Sequence, residues 1–210
     1  MARSKSSGEW LRRHVNDPYV KLAQKEGYRS RSAYKLIELD EKDRLLRPGL
    51  WVMDLGSAPG GWSQVVARAI GPKGRILATD ILPMDSIGNV DFIQGDFTSE
   101  GVVEQVLAWL DGGKFDLVVS DIAPNISGID SADQARSMYF LELALDTVRL
   151  ALKPGATFVA KMFQGEGSDQ YLKELRKSFQ KVSIRKPQAS RPKSREVYIV
   201  AKGFRGSENP

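Results

Sequence analysis

Apolar, largely β-branched runs alternate along this chain with segments of helical spacing, and that alternation restricts the possible folds more than any other feature. Runs at 51–55, 75–80, 90–93, 115–121, 156–162, 181–185 and 196–201 predict seven strands. Segments 62–70, 100–110, 132–152 and 169–179 have the spacing of helices. Near-continuous apolar strands separated by helices call for an α/β fold with a mostly parallel sheet covered on both faces. The last two runs depart from this. Only the polar stretch 186–194 lies between them, too short for a helical crossover, so they are expected to pair antiparallel. Two more helices are expected ahead of the first strand, one opening with Asp17-Pro18 as cap and first turn, the other over 32–43. At 210 residues and 41% hydrophobic content, one domain of ordinary size is expected.

In an open α/β sheet, ligands bind beyond the carboxyl ends of the strands, near the point where strand order reverses. The first strand runs straight into a glycine-rich turn there, within Asp54-Leu55-Gly56-Ser57-Ala58-Pro59-Gly60-Gly61-Trp62. Gly56, Gly60 and Gly61 permit tight turns and close approach of a ligand to the backbone. Their spacing misses the G-x-G-x-x-G fingerprint and lacks the Lys-Ser/Thr of a phosphate loop, which disfavours a nucleotide phosphate. Asp80 closes the second strand and Asp96 follows the third. Carboxylates at these places can accept hydrogen bonds from two ribose hydroxyls and from an adenine amino group. Each aspartate alone also fits a turn or a helix cap. Together, in this order, they specify an adenosine without phosphate.

The net charge of +5 is unevenly placed. Residues 1–35 carry nine Lys/Arg against three acids and residues 173–205 carry eleven against two, whereas residues 36–172 carry eleven bases against twenty acids. Basic ends that converge on one face suit a polyanion such as RNA; scattered, they are ordinary solvated charge. Cysteine is absent, which excludes disulfides, thiolate metal sites and the cysteine nucleophile that cytosine C5 methylation requires, and no metal site is expected. The first fifteen residues lack the apolar core of a signal peptide and no run of about 18 apolar residues occurs, so a soluble cytoplasmic protein is expected.

The segments DLGSAPGGW, LATDILPM, QGDF, VVSDIAPNISG, VAKMFQGEG and SREVYIVA resemble the FtsJ/RrmJ family of S-adenosylmethionine-dependent RNA ribose 2′-O-methyltransferases, over about residues 17–201. The resemblance implies the Rossmann-like methyltransferase fold, seven strands with the last inserted antiparallel. It implies a basic N-terminal extension with a short helix over 1–30, the methyltransferase domain over 31–202 and a tail over 203–210. It implies S-adenosylmethionine held by Asp54, Gly56, Pro59, Gly60, Gly61, Trp62, Asp80, Asp96 and Asp121, and a catalytic tetrad of Lys35, Asp121, Lys161 and Glu196. The implied substrate is ribosomal RNA of the large (50S) subunit, with a uridine ribose as acceptor, taken up by a monomer that uses its basic termini as the RNA-binding surface and no membrane.

Transfer of a methyl group from a sulfonium to a ribose hydroxyl is an in-line displacement that needs a base beside the hydroxyl. The single histidine, His14, lies in the basic N-terminal segment. Lys161 ends a buried strand, where a lysine is costly unless it is used. Burial favours its free amine and neighbouring carboxylates favour its ammonium, so a proton acceptor and an oriented cation are both open at this stage. The expectation is that Lys161 receives the proton, Asp121 orients it, and Lys35 with Glu196 positions the ribose. Without the resemblance, Lys35 reads as part of a solvated helix face, Glu196 as an edge-strand charge, Asp121 as a turn former and Trp62 as packing. Exocyclic-amine methyltransferases carry Asn/Asp-Pro-Pro-aromatic after the fourth strand; this chain has Asp121-Ile122-Ala123-Pro124-Asn125, which fits a ribose better. Arg29, Arg31, Arg185, Lys186, Arg191, Lys193 and Arg195 are the expected RNA-facing bases. A transfer RNA ribose methyltransferase, a non-catalytic rRNA-binding assembly factor and a small-molecule methyltransferase are the competing expectations.

Overall fold

The computed structural model describes residues 16–123 and 130–206, so His14, Pro124 and Asn125 lie outside the described residues. The first helix described in full, α1 (Pro18–Glu26), starts where the Asp17 carboxylate accepts the Tyr19 N–H at 3.0 Å and proline occupies the first turn, and it stops at Gly27 in the left-handed conformation. Then follow α2 (Ala33–Asp43), β1 (Trp51–Leu55), α3 (Gly61–Ile70), β2 (Arg75–Asp80), β3 (Val90–Gln94), α4 (Glu100–Leu110), β4 (Phe115–Ser120), α5 (Asp130–Ala151), β5 (Leu152–Phe163), α6 (Ser168–Ser178), β6 (Phe179–Arg185) and β7 (Glu196–Phe204).

The seven strands form one sheet in the order β3-β2-β1-β4-β5-β7-β6. Pairings from β3 across to β5 are parallel, and β7 is antiparallel to both β5 and β6. The Rossmann-like α/β fold with one reversed strand is therefore present, including the antiparallel pairing of the last two strands. Strand order reverses between β1 and β4, and the turn after β1 opens at that switch point.

The start of β6 and the end of β7 differ from the sequence expectation for one reason, and β5 begins at Leu152, four residues ahead of the expected 156. Phe179, expected to finish a helix, begins β6, and β7 runs three residues past Ala201 to Phe204. The two phenylalanines are register partners with rings 5.3 Å apart, both essentially buried, so their mutual packing extends the hairpin at both ends.

Residues alternate across the sheet into two apolar layers. Phe158, Met162, Val197 and Ile199 pack under α4, α5 and α6, while Val52, Leu117, Val159 and Val200 pack under α2 and α3. The second layer is the one that matters for the site: alternation puts Asp54, Lys161, Glu196 and Tyr198 on that same face, and α2 carries Lys35 over it. A smaller cluster of Ala23, Tyr34 and Ala189 seats α1 and the β6–β7 loop on α2.

Leu36 and Leu39, 0% and 1% exposed, anchor α2. Leu36→Ala is expected to lower unfolding free energy by about 2–5 kcal/mol, read as a lower urea midpoint with an unchanged slope.

Candidate active site

Four separate elements bring the expected tetrad together. Asp121 directly follows β4, and the parallel register Ser120 to Ala160 sets it beside Lys161 of β5. Lys161 is the direct partner of Tyr198 on antiparallel β7, and Glu196 lies two residues earlier on the same face. Lys161 Nζ donates to the Asp121 backbone carbonyl at 2.7 Å and lies 3.1 Å from its Oδ1. Lys35 Nζ meets Glu196 Oε1 at 2.7 Å.

Tyr198 joins the two ion pairs, and sequence reasoning missed it. Its hydroxyl donates to Asp121 Oδ1 at 2.6 Å, and Lys35 Nζ sits 5.5 Å from its ring centroid. Strand register held the signal, since Tyr198 is the cross-strand neighbour of Lys161. Burial, then the nearby carboxylates Asp121 and Glu196, push its phenol well above the ordinary range, so it stays a donor. Burial would also raise the Asp121 carboxyl, yet Lys161, Lys35 and the Tyr198 hydrogen bond outweigh burial and hold it below its ordinary value. Asp121 is accordingly an anion at neutral pH. Ser190, on the β6–β7 loop, donates to Glu196 Oε1 at 2.8 Å and is a second residue that sequence reasoning overlooked.

The glycine turn lies next to this cluster. The N–H groups of Gly56 and Ser57 both donate to the Thr79 carbonyl, at 2.9 and 3.1 Å, which closes the turn over β2. Gly56 has φ 71°, and a Cβ there would collide with the side chain of Ile122, so only glycine fits. Gly60 caps α3 in the left-handed region at φ 108°. Asp80 accepts the Ala58 N–H at 2.9 Å and the Leu82 N–H at 2.8 Å, one on each oxygen, leaving each a further lone pair. Asp96 is exposed and forms a turn through Oδ1, which accepts from the Thr98 N–H and hydroxyl.

The Trp62 indole is 2% exposed, donates to the Ser32 carbonyl at 2.8 Å and packs 5.7 Å from the Tyr198 ring, so the side chain is part of the core beside the turn.

The seven expected RNA-facing bases also divide. Arg29 donates to three backbone carbonyls, Arg31 pairs with Asp17 and the Ala189 carbonyl, Arg185 makes a forked pair with Asp43, and Lys186 donates to the Ser194 and Glu196 carbonyls. Arg191 and Lys193 are exposed on the β6–β7 loop, and Arg195, also exposed, lies 3.6 Å from Asp130 at the start of α5. Four of the seven bases therefore hold the fold together.

Residues 28–204 match the FtsJ-like methyltransferase family. The chain belongs to that family. It is accordingly a methyltransferase, and its relatives are close along their whole length. A Stutzerimonas stutzeri protein named ribosomal RNA large subunit methyltransferase E is 68% identical, covering 98% of this chain and 100% of its own. Proteins of the same name from Marinobacter nauticus and Pseudomonas aeruginosa are 63% and 59% identical over 98% of this chain, and 99% and 100% of theirs. The crystal structure of a Plasmodium falciparum protein assigned as a ribosomal RNA methyltransferase shares the fold with a TM-score of 0.78 and 34% identity, over 85% of this chain and 100% of the other.

Within this FtsJ-like domain Asp54 has an unusual carboxyl. Ser63 donates to its Oδ2 at 2.6 Å, and Oδ1 is buried without a partner. Burial pushes the group up to about 7, Ser63 opposes the rise, and the Asp121 and Asp80 carboxylates add to it. An unfolded chain releases this proton near pH 3.8, so between about pH 4 and 7 the folded protein holds a proton that the unfolded one has lost. The group's contribution to stability is full below that window and falls as pH rises through it. Asp54→Asn removes the titration, so its stability relative to the parent is expected to rise by about 1–3 kcal/mol from pH 5 to pH 8, measured by urea unfolding at each pH. A pH-independent difference would mean that the carboxyl is ionised throughout.

Proposed function

We propose that the protein transfers the methyl group of S-adenosylmethionine to the 2′-hydroxyl of a uridine ribose in large-subunit (23S) ribosomal RNA, with Lys161 as proton acceptor. The observation that carries the reading is the Lys161–Asp121 geometry. Asp121 offers two acceptors, its carbonyl at 2.7 Å and its Oδ1 at 3.1 Å, which take two of the three N–H groups of the paired ammonium; once the third proton has been released to solvent, the nitrogen has a lone pair for an incoming hydroxyl. Lys35 and Glu196, paired at 2.7 Å and buried, are rigid polar groups suited to orienting a ribose. The names borne by relatives matched along their full length support ribosomal RNA as the acceptor. A ribosomal substrate implies action in the cytoplasm, and among the described residues no helix is long and apolar enough to cross a membrane.

The residues at the glycine turn fit an adenosyl group. Asp54 Oδ1 and Ser57 Oγ, at the turn that contains Gly56, Pro59, Gly60 and Gly61, are buried polar atoms without partners, while Ile122, Ile87 and Ser30 close against the three glycines. Asp80 keeps free lone pairs for ribose hydroxyls, and Asp96 Oδ2 is free for an amino group. Ile81 and Leu82, 64% and 59% exposed directly after Asp80, supply apolar surface for a flat base; sequence reasoning had passed over them. When bound, S-adenosylmethionine supplies an electrophilic methyl group. The protein's own residues do the rest. Lys161 draws the hydroxyl proton onto its nitrogen, Asp121 stabilises the ammonium that results, and Lys35 with Glu196 holds the sugar in line.

Lys161→Ala is expected to lower single-turnover methylation by about 10²–10⁴-fold while cofactor affinity stays within about twofold. Near-normal turnover would remove Lys161 from the chemistry. The acceptor is read by incubating the protein with labelled S-adenosylmethionine and large subunits, then digesting the RNA with alkali, which does not cleave beside a 2′-O-methyl ribose. Label in alkali-resistant dinucleotides is the expected result; label only in mononucleotides would point to a base, and no transfer to an assembly factor.

A further inference from the structure

We infer that Arg29 is a positioning residue for the methyl donor's site, and not an RNA contact. The inference rests on the reading of the glycine turn as the S-adenosylmethionine cradle. Arg29 lies between α1 and α2, in a segment whose charge suggests a nucleic-acid surface, yet its guanidinium is occupied. Nη1 donates to the Pro59 carbonyl at 3.2 Å and to the Asp85 carbonyl at 2.6 Å, and Nη2 donates to the Ser86 carbonyl at 2.8 Å. One planar fork thus joins the glycine turn to the β2–β3 loop, two segments that no strand ladder connects at this point.

The two segments touch under the fork. A Cβ on Gly60 would lie 2.7 Å from Ile87 Cδ1, 3.1 Å from Met84 Sδ and 3.1 Å from Arg29 Nη1. The β2–β3 loop therefore rests directly on the turn, with half-buried Met84 and Ile87 as its contacts. The same loop begins at Asp80, Ile81 and Leu82, the residues that face the proposed adenosine. Arg29 is itself held from behind, because its backbone N–H donates to Gln64 Oε1 at 2.8 Å and Gln64 Nε2 donates to the Gly27 carbonyl at 3.0 Å. Gln64 belongs to α3, the helix that the glycine turn opens. Arg29 accordingly fixes the loop, the turn and the helix in one arrangement.

A lysine keeps the charge but offers a point donor in place of a fork spanning three carbonyls. The test uses Arg29→Lys and Arg29→Ala in the full chain, with large subunits as acceptor. Both variants are expected to raise KM for S-adenosylmethionine roughly tenfold with kcat within about twofold, and Arg29→Lys to leave RNA affinity and its salt dependence unchanged. Amide hydrogen exchange over 84–88 is expected to quicken in both ligand-free variants, while circular dichroism shows the parent's fold. Unchanged KM for S-adenosylmethionine, or weakened RNA binding in place of it, would overturn the inference. If the parent binds no S-adenosylmethionine, the donor reading falls first, and that result is distinguishable because the variants then show no difference from it.

Discussion

Lys35 and Lys161 are more than nine-tenths buried at one end of the sheet, and their burial is tolerable only because Glu196 and Asp121 face them. Removing one partner of such a pair leaves an uncompensated charge, at about 3–5 kcal/mol. The geometry that avoids this penalty is demanding. β4, β5 and β7 must be in register, because a shift by one residue would turn Lys161 or Glu196 to the opposite layer, among Phe158 and Ile199. The antiparallel insertion of β7 between β5 and β6 is what sets Tyr198 across from Lys161, so topology and chemistry are constrained together.

The N-terminal segment and the β6–β7 loop complete that arrangement from outside. Glu38 of α2 accepts the N–H groups of Gln188 and Ala189, and Arg31 donates back to the Ala189 carbonyl. Ser190, one residue on, reaches Glu196. The base of the loop is thereby tied to the helix that carries Lys35 and to the carboxylate that pairs with it, while Arg191, Lys193 and Arg195 stay exposed. A polyanion meeting the loop would press on a structure already connected to the buried ion pairs.

Strands were legible because alternating or continuous apolar runs leave few other options; β1 and β2 fall on their expected bounds. The ends of β6 and β7 were not, because the Phe179–Phe204 contact that extends them is between residues far apart in sequence. Lys35 and Glu196 could not be told from solvated charges by pattern, since a helix-face lysine and an edge-strand glutamate look alike whether or not they meet; only the family resemblance selected them. The partners of Trp62 and Arg29 were illegible for a common reason. Their decisive partners are backbone carbonyls, of Ser32 for one and of Pro59, Asp85 and Ser86 for the other. Every residue carries a carbonyl, so no side-chain pattern marks which will be the acceptor.

Charge segregation along the chain acquires a physical origin from the fold. The central, acidic stretch supplies the aspartates at the carboxyl ends of the strands: Asp54 after buried β-residues, Asp80 closing β2, Asp96 beyond β3 and Asp121 beyond β4. Burial first, and then the Asp121 and Asp80 carboxylates, drive Asp54 up to about 7, while Asp121, next to two lysines, is driven down. The floor of the site is therefore acidic and complements a sulfonium, the charge of the proposed donor. On the β6–β7 loop Arg191 and Lys193 are exposed and suit the proposed phosphate backbone, whereas α2 carries more acids than bases.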